Sequence, residues 1–105
     1  ILESKNKNRF KSKTFTKKEI QYCDSKAHPQ IHYAGRFAAK EAVKKAFLSS
    51  DKVSSLPLDF IEIINDENGK PLVCIHSKNV NYSICRVSIS HTNDFAIAFA
   101  FVEFS

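Results

Sequence analysis

Residues 95–102 alternate large and small apolar side chains, and no other part of the sequence constrains the fold as strongly. Phe95, Ile97, Phe99 and Phe101 are the large members, and Ala96, Ala98, Ala100 and Val102 are the small ones. Because successive side chains of a β-strand point to opposite faces, the pattern predicts a strand that is apolar, and covered, on both sides. A chain of 105 residues has few other residues with which to bury both faces of this strand. We therefore expect a homo-oligomer in which neighbouring copies bury the remaining face.

Length and composition predict one globular domain over residues 1–105, since a domain usually holds about 100–150 residues. Hydrophobic residues make up 43% of the chain, which is too many for a disordered protein. No apolar run approaches the roughly 20 residues of a membrane-spanning helix. The cysteines Cys23, Cys74 and Cys85 are odd in number and lack C-x-x-C spacing. They argue against disulfides and zinc, and they predict a cytoplasmic protein with thiols in its core.

The first half of the chain carries helix signals. Thr16-Lys17-Lys18-Glu19 has the form of a capping box, which predicts a short helix over residues 17–25. Pro29 suits the first turn of a second helix, and residues 30–48 continue it with helical periodicity and no interior proline.

The second half carries strand signals. β-branched runs predict strands at residues 60–64 and 72–75 on either side of a turn, and clean alternation predicts a strand at 86–90. A hairpin loop at 91–94 then leads into the last strand, whereas residues 76–84 are ambiguous. Helices followed by antiparallel strands indicate an α+β fold.

The long helix has one stripe of small residues, which permits close approach to a sheet, and one cationic row. The small residues are Gly35, Ala38, Ala39, Ala42 and Ala46. Arg36, Lys40 and Lys44 form the row, which is either a solvated face or a surface that meets an anion. Glu41 either pairs with Lys45 at i+4, or holds a hard cation such as Mg²⁺ while Lys45 offsets phosphate charge.

A basic block occupies residues 1–18, where seven cations accompany one acid, Glu3. The cations are Lys5, Lys7, Arg9, Lys11, Lys13, Lys17 and Lys18. Such a block predicts an anionic partner (nucleic acid, an acidic membrane or an acidic protein), or else a solvated face. Only Phe10 and Phe15 interleave with it, so single-stranded nucleic acid is weakly supported.

Residues 35–46, Gly-Arg-Phe-Ala-Ala-Lys-Glu-Ala-Val-Lys-Lys-Ala, resemble the hallmark segment of the 4′-phosphopantetheinyl transferases, an aromatic-x-x-Lys-Glu-x-x-x-Lys pattern. The particular sequence of this segment resembles that of the small bacterial holo-acyl-carrier-protein synthases. Further segments agree in order and spacing: Arg9-Phe10 leading into Phe15-Thr16-Lys17-Lys18-Glu19, Asn68-Gly69-Lys70-Pro71, and Val87-Ser88-Ile89-Ser90-His91-Thr92. The similarity covers essentially the whole chain.

The resemblance implies a fold, a reaction and a partner. The fold would be N-terminal helices packed on an antiparallel sheet, completed by trimerisation, with each nucleotide site built across a subunit boundary. The enzyme would use Mg²⁺ to transfer 4′-phosphopantetheine from coenzyme A to a serine of apo acyl carrier protein. Adenosine 3′,5′-bisphosphate would be released, and the reaction would serve fatty acid biosynthesis. The acidic carrier protein would dock on the basic block, and the candidate contacts are Lys5, Arg9, Lys11, Lys13, Lys17 and Lys18.

The resemblance also assigns site residues. Glu41 would hold the metal and help to take the serine proton, and Lys45 would meet the pyrophosphate. Arg36, His91 and Thr92 would contact the nucleotide phosphates, with Lys70 as a weaker candidate. His28, His32 and His76 match no motif and are interpreted as surface or structural residues.

One departure from the family pattern concerns the start of the chain. The family begins with a Gly-x-Asp strand whose aspartate is a second metal ligand, and we expect that strand to lie upstream of Ile1. The departure motivates one alternative, a non-catalytic oligomer of the same fold. The basic block motivates another, a small nucleic-acid-binding module.

Overall fold

The computed structural model describes the backbone of residues 2–104 and the side chains of residues 8–104. It contains α1 (Leu2–Thr14), α2 (Lys17–Asp24), α3 (Pro29–Leu48), a 3₁₀ turn (Leu58–Phe60), and the strands β1 (Ile61–Asn65), β2 (Pro71–Ile75), β3 (Ile84–His91) and β4 (Ala96–Glu103). The α+β class and both helices predicted within residues 17–48 are confirmed. Over residues 2–104, no helix combines the length and apolarity needed to cross a bilayer. The predictions for the Lys5 and Lys7 side chains fall outside the described residues.

The strands form two antiparallel hairpins, β1–β2 and β3–β4. His91 ends β3 opposite Ala96, so the hairpin loop begins one residue later than predicted. Thr92 closes this loop, because its backbone N–H donates to the Phe95 carbonyl at 2.8 Å and its hydroxyl accepts from the Phe95 N–H at 3.1 Å. The loop therefore holds the end of β3 in a fixed position.

The turn that the sequence predicts between β1 and β2 is present. One carboxylate oxygen of Asp66 accepts the backbone N–H groups of Asn68 and Lys70 at 2.9 and 2.8 Å. Gly69 has φ +82°, a conformation that side chains rarely tolerate. The turn is thus held by its own residues.

The small-residue stripe of α3 packs closely on the second hairpin, as predicted. A Cβ atom added to Gly35 would lie 3.4 Å from Cγ2 of Ile89, and Ala39 is fully buried. The small face of β4 packs against the core that α3 forms. The large face stays open within one chain, since Phe95 and Phe99 are each 75% exposed.

A buried ion pair joins α2 to α3. Lys40 donates to the carboxylate of Glu19, and both side chains have no exposed surface. Burial lowers the pKa of Lys40, against the opposing influence of Glu19. Lys40 is therefore not solvated but faces an anion, the carboxylate of Glu19. For this residue the solvated-face interpretation of the cationic row is wrong, and the interpretation in which an anion meets the row is right, with an anion from the chain itself.

Glu19 also completes the predicted capping box. Its carboxylate accepts the Thr16 N–H at 2.9 Å, and the Thr16 hydroxyl accepts the Glu19 N–H at 3.3 Å. The same carboxylate accepts the Ile63 N–H at 2.9 Å, which ties α2 to β1. A single side chain thus connects three elements.

A second polar cluster fastens the start of α2 to the first hairpin. The Thr16 hydroxyl donates to Glu62 at 2.5 Å, and Nε2 of His76 lies 3.0 Å from the other oxygen of that carboxylate. Burial raises the pKa of Glu62, but these two hydrogen bonds, together with attraction to His76 and Lys18, hold the pKa below its ordinary value. His76 is therefore structural, which is one of the two roles predicted for it.

The cysteine prediction is right for one residue and wrong for another. Cys23 is buried and Cys85 is half-buried, whereas Cys74 is exposed. The strand pattern explains the error, because Val73 and Ile75 of β2 pack against the core and Cys74 between them faces outward.

Candidate active site

A cleft that holds one arginine and two histidines lies where α2, α3, the β1–β2 turn and β3 meet. Its cavity of about 230 Å³ is lined by Tyr22, Ile31, His32, Gly35, Arg36, Asn65, Gly69, Pro71, Ile89 and His91. Arg36 and His91, which are 55 positions apart in the sequence, thus share one cleft as the resemblance implies. This lining, all of it within the described residues, includes no carboxylate.

Arg36 is the most firmly held cation of the cleft. Its side chain is only 5% exposed, its guanidinium lies 3.9 Å from the centre of the Tyr22 ring, and one terminal nitrogen donates to Asn65 at 2.5 Å. Asn65 in turn donates to the Gly69 carbonyl at 2.9 Å. Among the side chains described, the buried Nε of Arg36 has no hydrogen-bond partner. A guanidinium fixed in this way is suited to pairing with an anion.

His32 is a cleft residue that the sequence analysis missed. Its ring centre lies 6.4 Å from that of His91 and 5.7 Å from that of Tyr22. Its pKa is lowered first by burial and then by the surrounding cations, among them Lys26 and Arg36. A signal was present in the sequence, since His32 precedes Arg36 by four residues and such residues share one face of a helix.

Glu41 and Lys45 lie outside the cleft. Glu41 is half-buried and Lys45 is exposed. The ion pairs found among the described side chains do not include either residue, so the predicted i, i+4 pair is not formed. At 100° per residue, Glu41 points about 140° away from Arg36 around the helix axis. Within one chain, the carboxylate and the cleft therefore face different directions.

Lys70 and Thr92 lie at the edges of the cleft rather than in its lining. Lys70 is exposed on the β1–β2 turn, next to Gly69, which does line the cleft. Thr92 borders a separate and smaller cavity with Gln30 and Ala34. Its hydroxyl is engaged by the hairpin loop, as described above.

The basic block borders an aromatic groove. Arg9, Lys13, Lys17 and Lys18 are exposed, while Lys11 lies 3.9 Å from Asp24 and over the Tyr33 ring at 4.8 Å. The groove has a volume of about 720 Å³ and is lined by Phe10, Lys11, Phe15, Pro29, Gln30, Tyr33, Ala34 and Phe37. Cationic and apolar surfaces thus lie side by side.

Comparison with known proteins identifies the family. The model of the 4′-phosphopantetheinyl transferase superfamily matches residues 2–100. The chain belongs to this superfamily. The resemblance found in the sequence is thereby confirmed, and so is the prediction that the protein is an enzyme.

Individual members of the 4′-phosphopantetheinyl transferase superfamily agree with this assignment. The holo-[acyl-carrier-protein] synthase of Chlorobaculum parvum is 43% identical over 94 residues, which cover 90% of this chain and 79% of that protein. The synthase of Protochlamydia amoebophila is 44% identical over 95 residues, which cover 88% and 77% respectively. The crystal structure of the Helicobacter pylori synthase in complex with coenzyme A matches with a TM-score of 0.79 at 29% identity, covering 94% of this chain and 85% of that one.

Proposed function

We propose that this chain transfers the 4′-phosphopantetheine arm of coenzyme A to a serine of apo acyl carrier protein. The serine oxygen attacks the phosphorus that bears the pantetheine arm, the bond from that phosphorus to the bridging oxygen breaks, and adenosine 3′,5′-bisphosphate leaves. The observation that carries the proposal is the cleft that joins Arg36 to His91 in a chain of this superfamily. The coenzyme A complex of the Helicobacter pylori synthase supports coenzyme A as the donor.

The cleft supplies what a nucleotide phosphate requires. Arg36 offers a fixed charge, His91 offers an exposed imidazole at the end of β3, and no carboxylate repels the ligand from the lining. Lys70 can reach toward the cleft from the adjoining turn. Thr92, whose hydroxyl closes the hairpin loop, would act mainly by holding His91 in position.

Glu41 is the candidate ligand for Mg²⁺. The carboxylate is half-buried and takes part in no ion pair among the described side chains, which suits a cation that needs one or two carboxylates and takes its other ligands from water and substrate phosphates. When bound, Mg²⁺ neutralises the charge that develops on the phosphate oxygens. Glu41 would accept the serine proton directly or through a water molecule, and Lys45 would meet the pyrophosphate.

A homotrimer with shared active sites would bring the two groups of residues together. In one chain the carboxylate of Glu41 and the Arg36–His91 cleft face different directions, so a neighbouring copy is needed for a site that uses both. The open face of β4 offers the surface, since Ile97 and Phe101 are each 58% exposed. Burial of large apolar side chains of this kind is the main driving force of association.

The basic block and the aromatic groove beside it would dock the carrier protein. Carrier proteins are acidic, so exposed cations would steer them, and Phe10, which is 54% exposed, would offer apolar contact at the rim. The nucleic-acid-binding alternative is not favoured by the family assignment, and Phe15 is too buried, at 3% exposure, to stack on a base.

Neutralising the exposed part of the block tests this docking surface. We expect the combined change of Arg9, Lys13, Lys17 and Lys18 to glutamine to raise the KM for carrier protein about tenfold at low salt, because surface charges act chiefly through the association rate. The KM for coenzyme A should stay unchanged, and the difference should shrink as salt is added. Glutamine at the exposed Lys52 and Lys78 is the matched control, and an equal rise in both KM values would contradict the assignment.

The transfer itself is tested by mass spectrometry of the carrier protein. Incubation with coenzyme A, Mg²⁺ and apo acyl carrier protein should add the mass of one 4′-phosphopantetheine group. A carrier protein whose acceptor serine is changed to alanine should gain nothing. Failure to modify any of several carrier proteins would refute the proposed function and leave the non-catalytic oligomer as the better account.

A further inference from the structure

We propose that His32 takes up a proton when a phosphate group of coenzyme A enters the Arg36–His91 cleft, so that the nucleotide binds more tightly as the pH falls. The proposal rests on the proposed function, because it assigns the cleft to the nucleotide. It adds a proton-linked residue that the family motif does not contain.

The geometry holds His32 in place at the wall of the cleft. The residue lies on α3 one turn before Arg36 and is half-buried. Its ring stands nearly perpendicular to that of Tyr22, at 79° with 5.7 Å between the centres, and lies 6.4 Å from the His91 ring. These two rings position the His32 imidazole at the wall of the cleft, where a ligand would enter.

The groups that lower the pKa of His32 by repulsion come from several elements. Arg36 comes from its own helix, His28 precedes that helix, Lys26 comes from the loop after α2, and His91 comes from β3. The aromatic ring of Tyr22 on α2 also faces it. The β1–β2 turn contributes only the uncharged Asn65 and Gly69 to the cleft.

In the absence of an anion, this environment favours the neutral form of the imidazole. Burial is the largest cause of the lowered pKa of His32, and repulsion from Lys26, Arg36, His91 and His28 adds to it. A phosphate reverses the balance, because an opposite charge within about 4–6 Å favours the protonated form. The protonated ring can then donate a charge-assisted hydrogen bond to the phosphate.

Thermodynamic linkage fixes the direction of the pH effect. The complex binds more protons than the free enzyme, so affinity rises as the pH falls from the pKa of His32 in the complex toward its lower pKa in the free enzyme. The gain is at most about tenfold for each pH unit when one proton is taken up. Above the pKa of the complex, His32 contributes no charge and the pH dependence from this residue ends.

The test is calorimetric titration with adenosine 3′,5′-bisphosphate, repeated in buffers of different ionisation enthalpy, which reports the number of protons taken up. We expect proton uptake by the unmodified chain and a clearly smaller uptake by His32→Phe, which keeps an aromatic ring against Tyr22 but cannot be protonated. The dissociation constant of this variant should change less with pH. The matched control is His76→Gln, since His76 lies outside the cleft and glutamine can keep the hydrogen bond to Glu62.

Equal proton uptake and equal pH dependence in His32→Phe and the unmodified chain would overturn the proposal. If that variant does not fold, an NMR titration of His32 in the unmodified chain replaces it: a pKa that rises at saturating ligand supports the proposal, and an unchanged pKa refutes it. The carrier-protein assay distinguishes failure of the role proposed for His32 from failure of the proposed function. Active transfer with pH-independent binding overturns only the role of His32, whereas absence of both transfer and binding removes the proposed function as well.

Discussion

Glu41→Gln is expected to lower the rate of phosphopantetheine transfer by at least about 100-fold. The proposed Mg²⁺ site would lose the charge that anchors the ion, and with it several kcal/mol of transition-state stabilisation. Glutamine keeps the size of the side chain and its hydrogen-bonding capacity. The residue is half-buried and outside every ion pair described for residues 8–104, so the fold should survive. The rate is measured from the mass of the carrier protein, and folding from the thermal unfolding temperature.

The control for this variant is Glu67→Gln, which makes the same change in an exposed turn and should leave the rate intact. Titration with Mg²⁺ sharpens the test, because a weakened metal site should need more of the ion for half-maximal activity. A Glu41→Gln variant with normal turnover and normal Mg²⁺ requirement would show that this carboxylate does not hold the metal.

Lys40→Met is expected to destabilise the fold by about 3–5 kcal/mol, because it leaves the buried carboxylate of Glu19 without its cation. A domain of this size has only about 5–15 kcal/mol of stability, so the loss should be visible as a large drop in the urea midpoint. Lys44→Met is the matched control. It belongs to the same cationic row, one turn further on, but is only half-buried.

A second variant separates the ion pair from the loss of the lysine stem. When Glu19→Gln accompanies Lys40→Met, the buried charge disappears, and the double variant should be less destabilised than the sum of the two single ones. Strict additivity, or a Lys40→Met variant as stable as Lys44→Met, would show that the pair contributes little to stability.

Local signals in the sequence were sufficient for most of the fold. Pro29 marked the start of α3, and the small stripe around Gly35 and Ala39 identified the face that meets the sheet. The capping box at Thr16 and Glu19 marked the start of α2. Each of these inferences depends on residues within a few positions of one another, where helix and strand geometry leave few alternatives.

The parts that the sequence analysis missed depend on contacts between distant segments. Glu19 and Lys40 are 21 positions apart, and the capping role of Glu19 already accounted for its charge, so the sequence did not identify Glu19 as the anion that meets Lys40. The sequence predicts a surface or structural role for His32 because the residue matches no motif, and its neighbour in the cleft, His91, lies on a distant element. Cys74 was placed in the core from its residue type alone, although its position in β2 determines its exposure.

Lys40 and Glu41 are consecutive in the sequence but point about 100° apart, as neighbours in an α-helix must. Lys40 points inward and pairs with Glu19 of α2. Glu41 takes no part in that pair and is the residue proposed to bind Mg²⁺. Deleting one residue between Pro29 and Lys40 would rotate the rest of α3 by about 100° and turn the carboxylate of Glu41 toward Glu19, which would bury two like charges together. The number of residues between Pro29 and Lys40 is therefore constrained. We expect variation in chain length among functional relatives to be confined to the loops before Pro29 and after Leu48.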